Sequence, residues 1–402
     1  MMVQSQSFLR YFLPFLILQF LSSNQVLASL GPSSGKSAAD VQQRIIGYYP
    51  GFNHNESCGM EFDKIPAENF THLNFAFGYI NNSTFEIEPK EGYDAQLFSN
   101  FTSIRSRNKD VKLMISLAQL SGNSTSVFSS IVASSCNRQK FIERLICFMN
   151  RYCFDGVDFD WEFPGDPATG GNNSDRDNYV LLVKELRSTL AQIPNKDFVI
   201  SFTAPTPTYY LGMYNLTEMM KYADFINFMA YDVVNANWGT DKHIYAHTNL
   251  TEINKSLAYL LDNGVPSKQI NLGLAFYGNS YQLSDTSCAV PGCPFQGPGK
   301  AGSCSEAGVL TYKDIMGVIQ ADELAPQWDT EAAVKYIHWD NDQWVAYDDK
   351  DTFKQKIEWG NGKGLGGVLI WSINDDDQNL SALRGVVDAQ AMLASNTTVD
   401  GQ

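Results

Sequence analysis

One stretch decides the fold: DGVDFDWEFP, residues 155–164. From Val157 to Phe163, apolar or aromatic residues alternate with the acids Asp158, Asp160 and Glu162. A period of two predicts a β-strand, which places these acids on one face. Because adjacent carboxylates repel one another and raise at least one pKa, the arrangement contributes nothing to folding and indicates a functional site.

Two other interpretations of the stretch are an exposed edge strand with a hydrated acidic face and an acidic metal site. The apolar opposite face and the buried strands predicted nearby disfavour the edge strand. An EF-hand loop has oxygen ligands at alternate positions and glycine at the sixth, whereas Gly156 here follows the first Asp. No cysteine spacing matches a zinc site with His, which disfavours a metal site. We expect neither a metal nor an organic cofactor.

The chain has 402 residues and a formal net charge of −15. This length suits one large barrel or two domains. The negative charge argues against nucleic-acid and anionic-membrane partners, so we expect neither. An uncharged polymer substrate remains compatible with it.

The N-terminus has the pattern of an export signal over residues 1–28. An apolar run follows Arg10, and small residues at 26–28 form a cleavage site. Residues 29–42 and 393–402 are predicted to be a disordered leader and a disordered tail. Together with twelve Asn-x-Ser/Thr sequons, the signal predicts a secreted, extracellular glycoprotein.

The seven cysteines suggest disulfides formed in an oxidising compartment, and their odd number leaves at least one free. Cys288, Cys293 and Cys304 cluster in a loop rich in Pro and Gly, so we expect one bridge inside that cluster. Cys147 lies in an apolar helix, where we expect a buried free thiol.

Short apolar β-runs alternate with amphipathic helices along the chain. Continuously apolar strands joined by helices predict a parallel sheet covered on its outside, which closes as an α/β (β/α)8 TIM barrel over residues 43–392. The predicted strands are 44–49, 71–77, 112–117, 156–161, 198–204, 224–230, 269–276 and 367–372, and the clearest helices are 138–152, 177–192 and 253–263.

The gap between the seventh and eighth strands is too long for one crossover. We predict a small α+β insertion over residues 278–362, on the C-terminal face of the barrel. The segments YIHW (336–339) and QWVAY (343–347) predict a hairpin inside it.

Groups at the C-terminal ends of barrel strands line the pocket. Glu162 is expected at the mouth, where neighbouring acids and aromatics raise its pKa and suit it to act as a general acid. Tyr48, Phe75, Tyr231 and Trp371 lie at or near strand ends, where aromatic rings can stack on sugars. Paired carboxylates among aromatics suggest glycoside hydrolysis.

The pattern Asp155-x-x-Asp158-x-Asp160-x-Glu162 resembles the signature of the family 18 glycoside hydrolases, the chitinases. The resemblance covers residues 43–392, and the loop that begins at Cys288 is most similar to secreted fungal members of the class V type. Other segments match the family in order: GYY (47–49), NFAF (74–77), MAYD (229–232), GLAFYG (273–278) and GVLIWS (367–372).

The resemblance implies retaining, substrate-assisted catalysis, an exception to the two-carboxylate scheme. Glu162 would protonate the glycosidic oxygen, and the substrate's own acetamido carbonyl would be the nucleophile. Asp160 would orient the acetamide N–H, while Asp158 would share a proton with Asp160. Tyr231 would hydrogen-bond the acetamido oxygen.

The resemblance also implies a set of substrate-binding residues around these catalytic groups. Within it, Asp232 would contact the distorted sugar, Trp371 would form an apolar floor, and Tyr48 and Ser116 would support the Asp pair. The complete predicted set is Tyr48, Phe75, Ser116, Met229, Asp232, Trp238 and Trp371. The expected partner is chitin or chitooligosaccharides, and the expected state is a monomer.

The sequence departs from the family pattern around the pocket. The third strand ends SLAQL (116–120) where the family has Ser-x-Gly-Gly-Trp, Phe163 replaces Tyr, and Asn279 replaces Arg. The aromatic after Tyr231-Asp232 is shifted by one position to Trp238. These differences predict altered affinity for individual sugars or weak turnover.

Other residues are predicted to have no part in catalysis. Asp155 is expected to cap the entry to its strand. The histidines without a catalytic partner are interpreted as surface or core residues: His72, His243, His247 and His338.

Three hypotheses follow for the function. The first is a secreted, endo-acting chitinase that cleaves β-1,4 N-acetylglucosamine linkages. The second is a protein that binds chitin oligomers with little turnover. The third keeps the mechanism but acts as an endo-N-acetylglucosaminidase on N-glycans.

Overall fold

The computed structural model describes residues 43–54, 58–118, 126–234 and 241–399, with the side chains of 394–399 left aside. The predicted signal peptide and leader, residues 1–42, lie outside the described residues. The strands in chain order are β1 (Arg44–Pro50), β2 (His72–Ile80), β3 (Ile87–Glu88), β4 (Lys112–Ala118), β5 (Gly156–Asp160), β6 (Val199–Ala204), β7 (Phe225–Phe228), β8 (Ile270–Ala275), β9 (Tyr277–Leu283), β10 (Phe295–Pro298), β11 (Val309–Thr311), β12 (Gln327–Asp329), β13 (Val334–Trp339), β14 (Gln343–Tyr347) and β15 (Gly367–Trp371). The α-helices are α1 (Gln96–Thr102), α2 (Val127–Val132), α3 (Ser135–Tyr152), α4 (Asp175–Leu190), α5 (Thr208–Leu211), α6 (Leu216–Met219), α7 (Leu250–Asp262), α8 (Tyr312–Ala321), α9 (Lys350–Gly362) and α10 (Ser381–Val399).

Parallel strands close into a barrel, as the sequence predicted. Their order is β1-β15-β8-β7-β6-β5-β4-β2, and β1 also pairs with β2, which closes the sheet. The short strand β3 adds to β2 in the antiparallel direction. Most barrel strands are buried on both faces, because side chains fill the inside and helices cover the outside. The predicted (β/α)8 barrel is therefore confirmed.

The helices bury the faces that their sequence periodicity predicted. In α3, Phe141, Leu145 and Met149 are fully buried on one side. The helix begins at the N-cap Ser134, whose side chain accepts a hydrogen bond from the backbone of Asn137, and it ends in a left-handed C-cap.

The C-terminal boundary of the barrel differs from the prediction. Helix α10 continues to Val399, so most of the segment 393–402, expected to be a disordered tail, is helical. The segment Ala391-Met392-Leu393-Ala394 consists of strong helix formers, which extend the helix beyond the packed part.

A second, antiparallel sheet lies between β8 and β15 in the sequence. Its order is β10-β9-β14-β13-β12, with β11 paired to β9. The predicted hairpin is confirmed, since Trp339 pairs with Gln343 across a loop with left-handed backbone at Asp340 and Asn341. Helix α9 also falls within the predicted insertion, yet it packs on α10 of the barrel.

Two disulfides are present in the described part of the chain. Cys288–Cys293 is the bridge expected inside the cysteine cluster. Cys58–Cys304 joins the segment after β1 to the loop before β11. Cys147 is free but exposed, so the expected buried thiol is wrong. The helical period turns position 147 away from the apolar face of α3.

None of the described helices combines the length and the apolar character that a bilayer-spanning helix requires.

Candidate active site

The strand β5 presents its acids to the inside of the barrel and its apolar residues to the helices. Trp161 is almost fully buried and stacks on Phe128 of α2 at a centroid distance of 5.4 Å. Asp158 instead contacts residues of β1 and β7 across the barrel. The strand lies between β4 and β6, which excludes the edge-strand interpretation.

Asp158 is completely buried and accepts hydrogen bonds from uncharged donors. Its Oδ2 accepts from Tyr48 Oη at 2.7 Å and from Ser116 Oγ at 2.8 Å. Its Oδ1 accepts from Ser201 Oγ at 2.7 Å and from Asn227 Nδ2 at 3.0 Å. Burial raises the pKa of Asp158, while these four donors oppose the increase.

Asp160 is also buried, one step nearer the mouth of the barrel. Thr203 of β6 donates a hydrogen bond of 2.7 Å to its Oδ1. Burial first, then the negative charges of Glu162 and Asp158, raise the pKa of Asp160 well above its ordinary value. A carboxyl in this environment favours the protonated form until a partner stabilises its charge.

Glu162 follows the end of β5 and is exposed to solvent. The surrounding protein partly desolvates its carboxyl, and this effect, followed by the charge of Asp232, raises the pKa of the carboxyl to about 7. Beside it, Phe163 stacks on Tyr210 with ring centroids 4.1 Å apart. An exposed carboxyl that titrates near neutrality can donate a proton to a bound ligand and take it back.

Asp232 has a left-handed backbone, with φ of 55°, and several groups fix its carboxylate. Tyr277 Oη donates to Oδ2 at 2.8 Å, and Asn279 Nδ2 donates to Oδ1 at 3.2 Å. His247 Nδ1 lies 3.2 Å from the same Oδ1. Burial alone would raise the pKa of Asp232, but the hydrogen bonds and charge of these partners lower it below its ordinary value.

Aromatic and apolar side chains form the remaining wall of the pocket. Tyr231, Met229, Tyr48 and Trp371 belong to one apolar cluster inside the barrel. The rings of Tyr48 and Trp371 are 5.7 Å apart, and Phe77 stacks on Trp371 at 5.6 Å. The structure therefore brings these predicted residues together around the acids.

The prediction that Phe75 lines the pocket is wrong. Phe75 is buried and packs against Phe98 and Phe101 of α1, outside the barrel. Phe77 takes the inner position instead. The pairing of β2 with β4 shifts between Ala76 and Gly78, and such an irregularity breaks the inward and outward alternation of side chains along a regular strand.

Two predicted features lie outside the described residues: Trp238, and the altered end of the third strand at Gln119 and Leu120. The predicted scaffold residue Asp155 binds Arg105 at 2.7 Å and the backbone N–H of Leu113 at 2.8 Å. It thus contacts the entry of β4, away from the pocket.

Several polar contacts of the site were missed by the sequence analysis: those of Ser201, Thr203, Asn227, Tyr277 and His247. The alternation Ser201-Phe202-Thr203 repeats the period of the acids, so pairing β5 with β6 would have revealed the first two. His247 had no such signal, because it lies in an irregular segment before α7.

In the part of the chain that the structure describes, no group of three His, Cys, Asp or Glu side chains is arranged to hold a metal ion. The site instead combines a near-neutral carboxyl, buried carboxyls with raised pKa values, and aromatic walls at the C-terminal end of a (β/α)8 barrel. These features define a site of the glycoside hydrolase class.

The chain belongs to glycosyl hydrolases family 18, whose family model matches residues 44–376. It is 29% identical over 363 residues to an endochitinase of Manduca sexta, covering 84% of this chain and 65% of that protein. It is 27% identical over 370 residues to a probable chitinase, LysM11, of Penicillium expansum, covering 83% of this chain and 32% of that protein. The chain therefore spans less than two thirds of the length of these relatives.

A solved structure, the Group IV chitinase of Ostrinia furnacalis, has a TM-score of 0.79 and 26% sequence identity. The match covers 87% of this chain and 100% of that chain.

Proposed function

We propose that this protein is a secreted, endo-acting chitinase that cleaves β-1,4 N-acetylglucosamine linkages with retention of configuration. Family membership supports the reaction class, and the chitinases among the relatives suggest the substrate. The observation that carries the proposal is Glu162, an exposed carboxyl with a pKa of about 7, next to the buried Asp160.

In the proposed first step, Glu162 protonates the glycosidic oxygen as the bond from that oxygen to the anomeric carbon breaks. The substrate's acetamido carbonyl oxygen attacks the same carbon and forms a cyclic oxazolinium. Asp160 accepts a hydrogen bond from the acetamide N–H, so its negative charge stabilises the positive ring. Tyr231 donates to the acetamido oxygen and orients it for attack.

In the second step, water attacks the anomeric carbon and the oxazolinium ring opens. The Glu162 carboxylate takes a proton from this water and returns to its starting state. Asp158 shares one proton with Asp160, and this proton lies on Asp158 while Asp160 is charged. The pair therefore carries a single negative charge in both steps, and the hydrogen-bond donors around Asp158 help to stabilise it. Trp371 provides the apolar floor beneath the sugar.

The test is hydrolysis of a chitin hexamer, with products followed by mass spectrometry. Glu162→Gln keeps the size of the side chain but removes its proton, so we expect turnover to fall on the order of 10²–10⁴-fold. Glu143→Gln, on the exposed side of α3, is the matched control and should retain activity. Equal rates for wild type and Glu162→Gln would overturn the assignment.

The product pattern separates the other hypotheses. Internal cleavage of the hexamer supports endo action, whereas release from one end contradicts it. Tight binding of the hexamer without products supports the oligomer-binding hypothesis. Cleavage of N-glycans with no cleavage of the hexamer supports the endo-N-acetylglucosaminidase hypothesis.

We also infer an extracellular monomer. The apolar N-terminal segment and the disulfides are typical of exported proteins. Expression in a secreting host, followed by size-exclusion chromatography with light scattering of the medium fraction, tests both points. Retention inside the cell or a dimer mass would contradict them.

A further inference from the structure

A buried histidine contacts the acid that the proposed mechanism places against the sugar. The residue His247 has no exposed surface and lies in the segment that leads into α7. Its Nδ1 is 3.2 Å from Asp232 Oδ1, and its Nε2 is 3.1 Å from the carbonyl oxygen of Tyr277. Both ring nitrogens therefore face oxygen atoms.

The partners of the ring determine which protonation state is satisfied. A carbonyl oxygen only accepts hydrogen bonds, so Nε2 carries a proton and donates it to Tyr277. A neutral ring would then present the lone pair of Nδ1 to the carboxylate of Asp232. The backbone N–H of Asp232 also faces Nδ1, but at the longer distance of 3.4 Å. An imidazolium donates from both nitrogens and satisfies the nearer, charged partner.

Asn279 on β9, another partner of the Asp232 carboxylate, is uncharged. A cation at His247 would therefore supply the positive charge that this carboxylate lacks. Asn279 occupies the place where the family pattern has Arg, and its uncharged Nδ2 is shared between Asp232 Oδ1 at 3.2 Å and the carbonyl of Val234 at 2.9 Å. His247 reaches the same carboxylate oxygen from another segment. The titratable groups in contact with its ring are Asp232 and Tyr277, whose ring centroid is 4.7 Å away. The charge of Asp232 in turn acts on Glu162.

We propose that His247 is a positioning residue: protonated on both ring nitrogens, it holds Asp232 against the substrate and replaces the charge missing at Asn279. The part that concerns substrate rests on the proposed chitinase function. The protonation state does not, because it is a property of the protein without substrate.

Nitrogen NMR of the full chain with labelled histidine tests the protonation state directly. The sequence has five histidines, and His247→Asn identifies the resonance of His247. At neutral pH we expect both nitrogens of His247 to be protonated in wild type, because each faces an oxygen atom. Asp232→Asn should convert the ring to the neutral form. A neutral wild-type ring protonated only on Nε2 overturns the proposal.

A double-mutant cycle tests whether His247 acts through Asp232. His247→Asn retains an N–H near the position of Nδ1 but has no charge, and we expect kcat/KM on the hexamer to fall about tenfold. In the Asp232→Asn background the same substitution should cost less than about twofold. His338→Asn, in the second sheet, is the control and should leave activity unchanged. Equal losses in both backgrounds would show that His247 does not act through Asp232.

The two experiments keep this inference separate from the proposed function. If the wild type cleaves no chitin oligomer, the proposed function fails, but the NMR result still decides the charge of His247. If it cleaves the hexamer and His247 is neutral, the proposed function survives and the positioning role is wrong.

Discussion

Ser201 on β6 lies opposite Asp158 on β5 in the parallel register, and its hydroxyl donates a 2.7 Å hydrogen bond to Asp158 Oδ1. Both residues are fully buried. Hydrogen bonds to the ionised form oppose the effect of burial, so Ser201 helps a carboxylate to exist inside the barrel. Strand β6 therefore contributes a residue to the site.

Ser201→Ala removes this donor, so Asp158 Oδ1 loses the hydrogen bond from the Ser201 hydroxyl. We expect the free energy of unfolding to fall by about 1–3 kcal/mol at neutral pH, because the pKa of Asp158 rises further. Denaturant unfolding measures the change. Ser188→Ala, on the exposed surface of α4, is the control and should change stability by less than about 0.5 kcal/mol. A similar small effect for both variants would contradict the assigned role of Ser201.

The pH dependence of hydrolysis should report the proton on Glu162. A general acid works only while protonated, so kcat/KM should fall above the pKa of Glu162, which desolvation by the surrounding protein raises to about 7. The charge of Asp232 contributes to this increase. Asp232→Asn should therefore move the basic limb to lower pH, in addition to any loss of activity.

The measurement is the pH profile of kcat/KM on a soluble chitin oligomer. Asp322→Asn removes a charge from the exposed end of α8 and should leave the limb in place. A basic limb that stays at the same pH in Asp232→Asn would mean that Asp232 does not influence Glu162.

The sequence was sufficient for the barrel because its strands are short, continuously apolar runs with one alternating acidic exception. It also indicated Asp158, Asp160 and Glu162 as candidate site residues, since three acids on one strand face have no structural explanation. It could not predict the irregularity after Ala76, at which Phe77 joins the cluster inside the barrel.

Contacts between segments distant in sequence could not be predicted either. His247 and Asp232 are fifteen residues apart, and the chain between them includes residues that the structure does not describe. No periodicity links the two positions, so only the fold reveals that they meet. The same holds for Cys58 and Cys304, whose pairing joins segments 246 residues apart.

The two disulfides should differ in their effect on stability. Cys58–Cys304 closes a span of 246 residues, whereas Cys288–Cys293 closes a span of 5. In the chain-entropy model the long loop contributes about 5.5 kcal/mol and the short loop about 2 kcal/mol. We expect Cys58→Ser/Cys304→Ser to lower the free energy of unfolding more than Cys288→Ser/Cys293→Ser. Denaturant unfolding of the two variants checks the order, and the reverse order would contradict it.

The buried carboxyls should also make the protein more stable in mild acid. Burial, together with the charges of Asp314 and Asp376, raises the pKa of Asp375 to about 6, although Ser372 donates to it. The unfolded value is about 4, so between these pH values the folded state binds more protons than the unfolded state. The free energy of unfolding therefore falls as pH rises from about 4 to about 6, and the loss is complete above the folded pKa.

Calorimetry at a series of pH values tests this sign. Wild type should show a lower Tm at about pH 7 than at about pH 5, and Asp375→Asn should reduce that difference because the amide does not titrate. The pKa values of the buried Asp158 and Asp160 are also raised. These two residues therefore act in the same direction, and part of the dependence of Tm on pH should remain in Asp375→Asn. Asp388 is exposed on α10, so Asp388→Asn is the control and should leave the dependence of Tm on pH unchanged. A Tm difference that Asp375→Asn does not reduce would show that Asp375 is already ionised in the folded protein at pH 5.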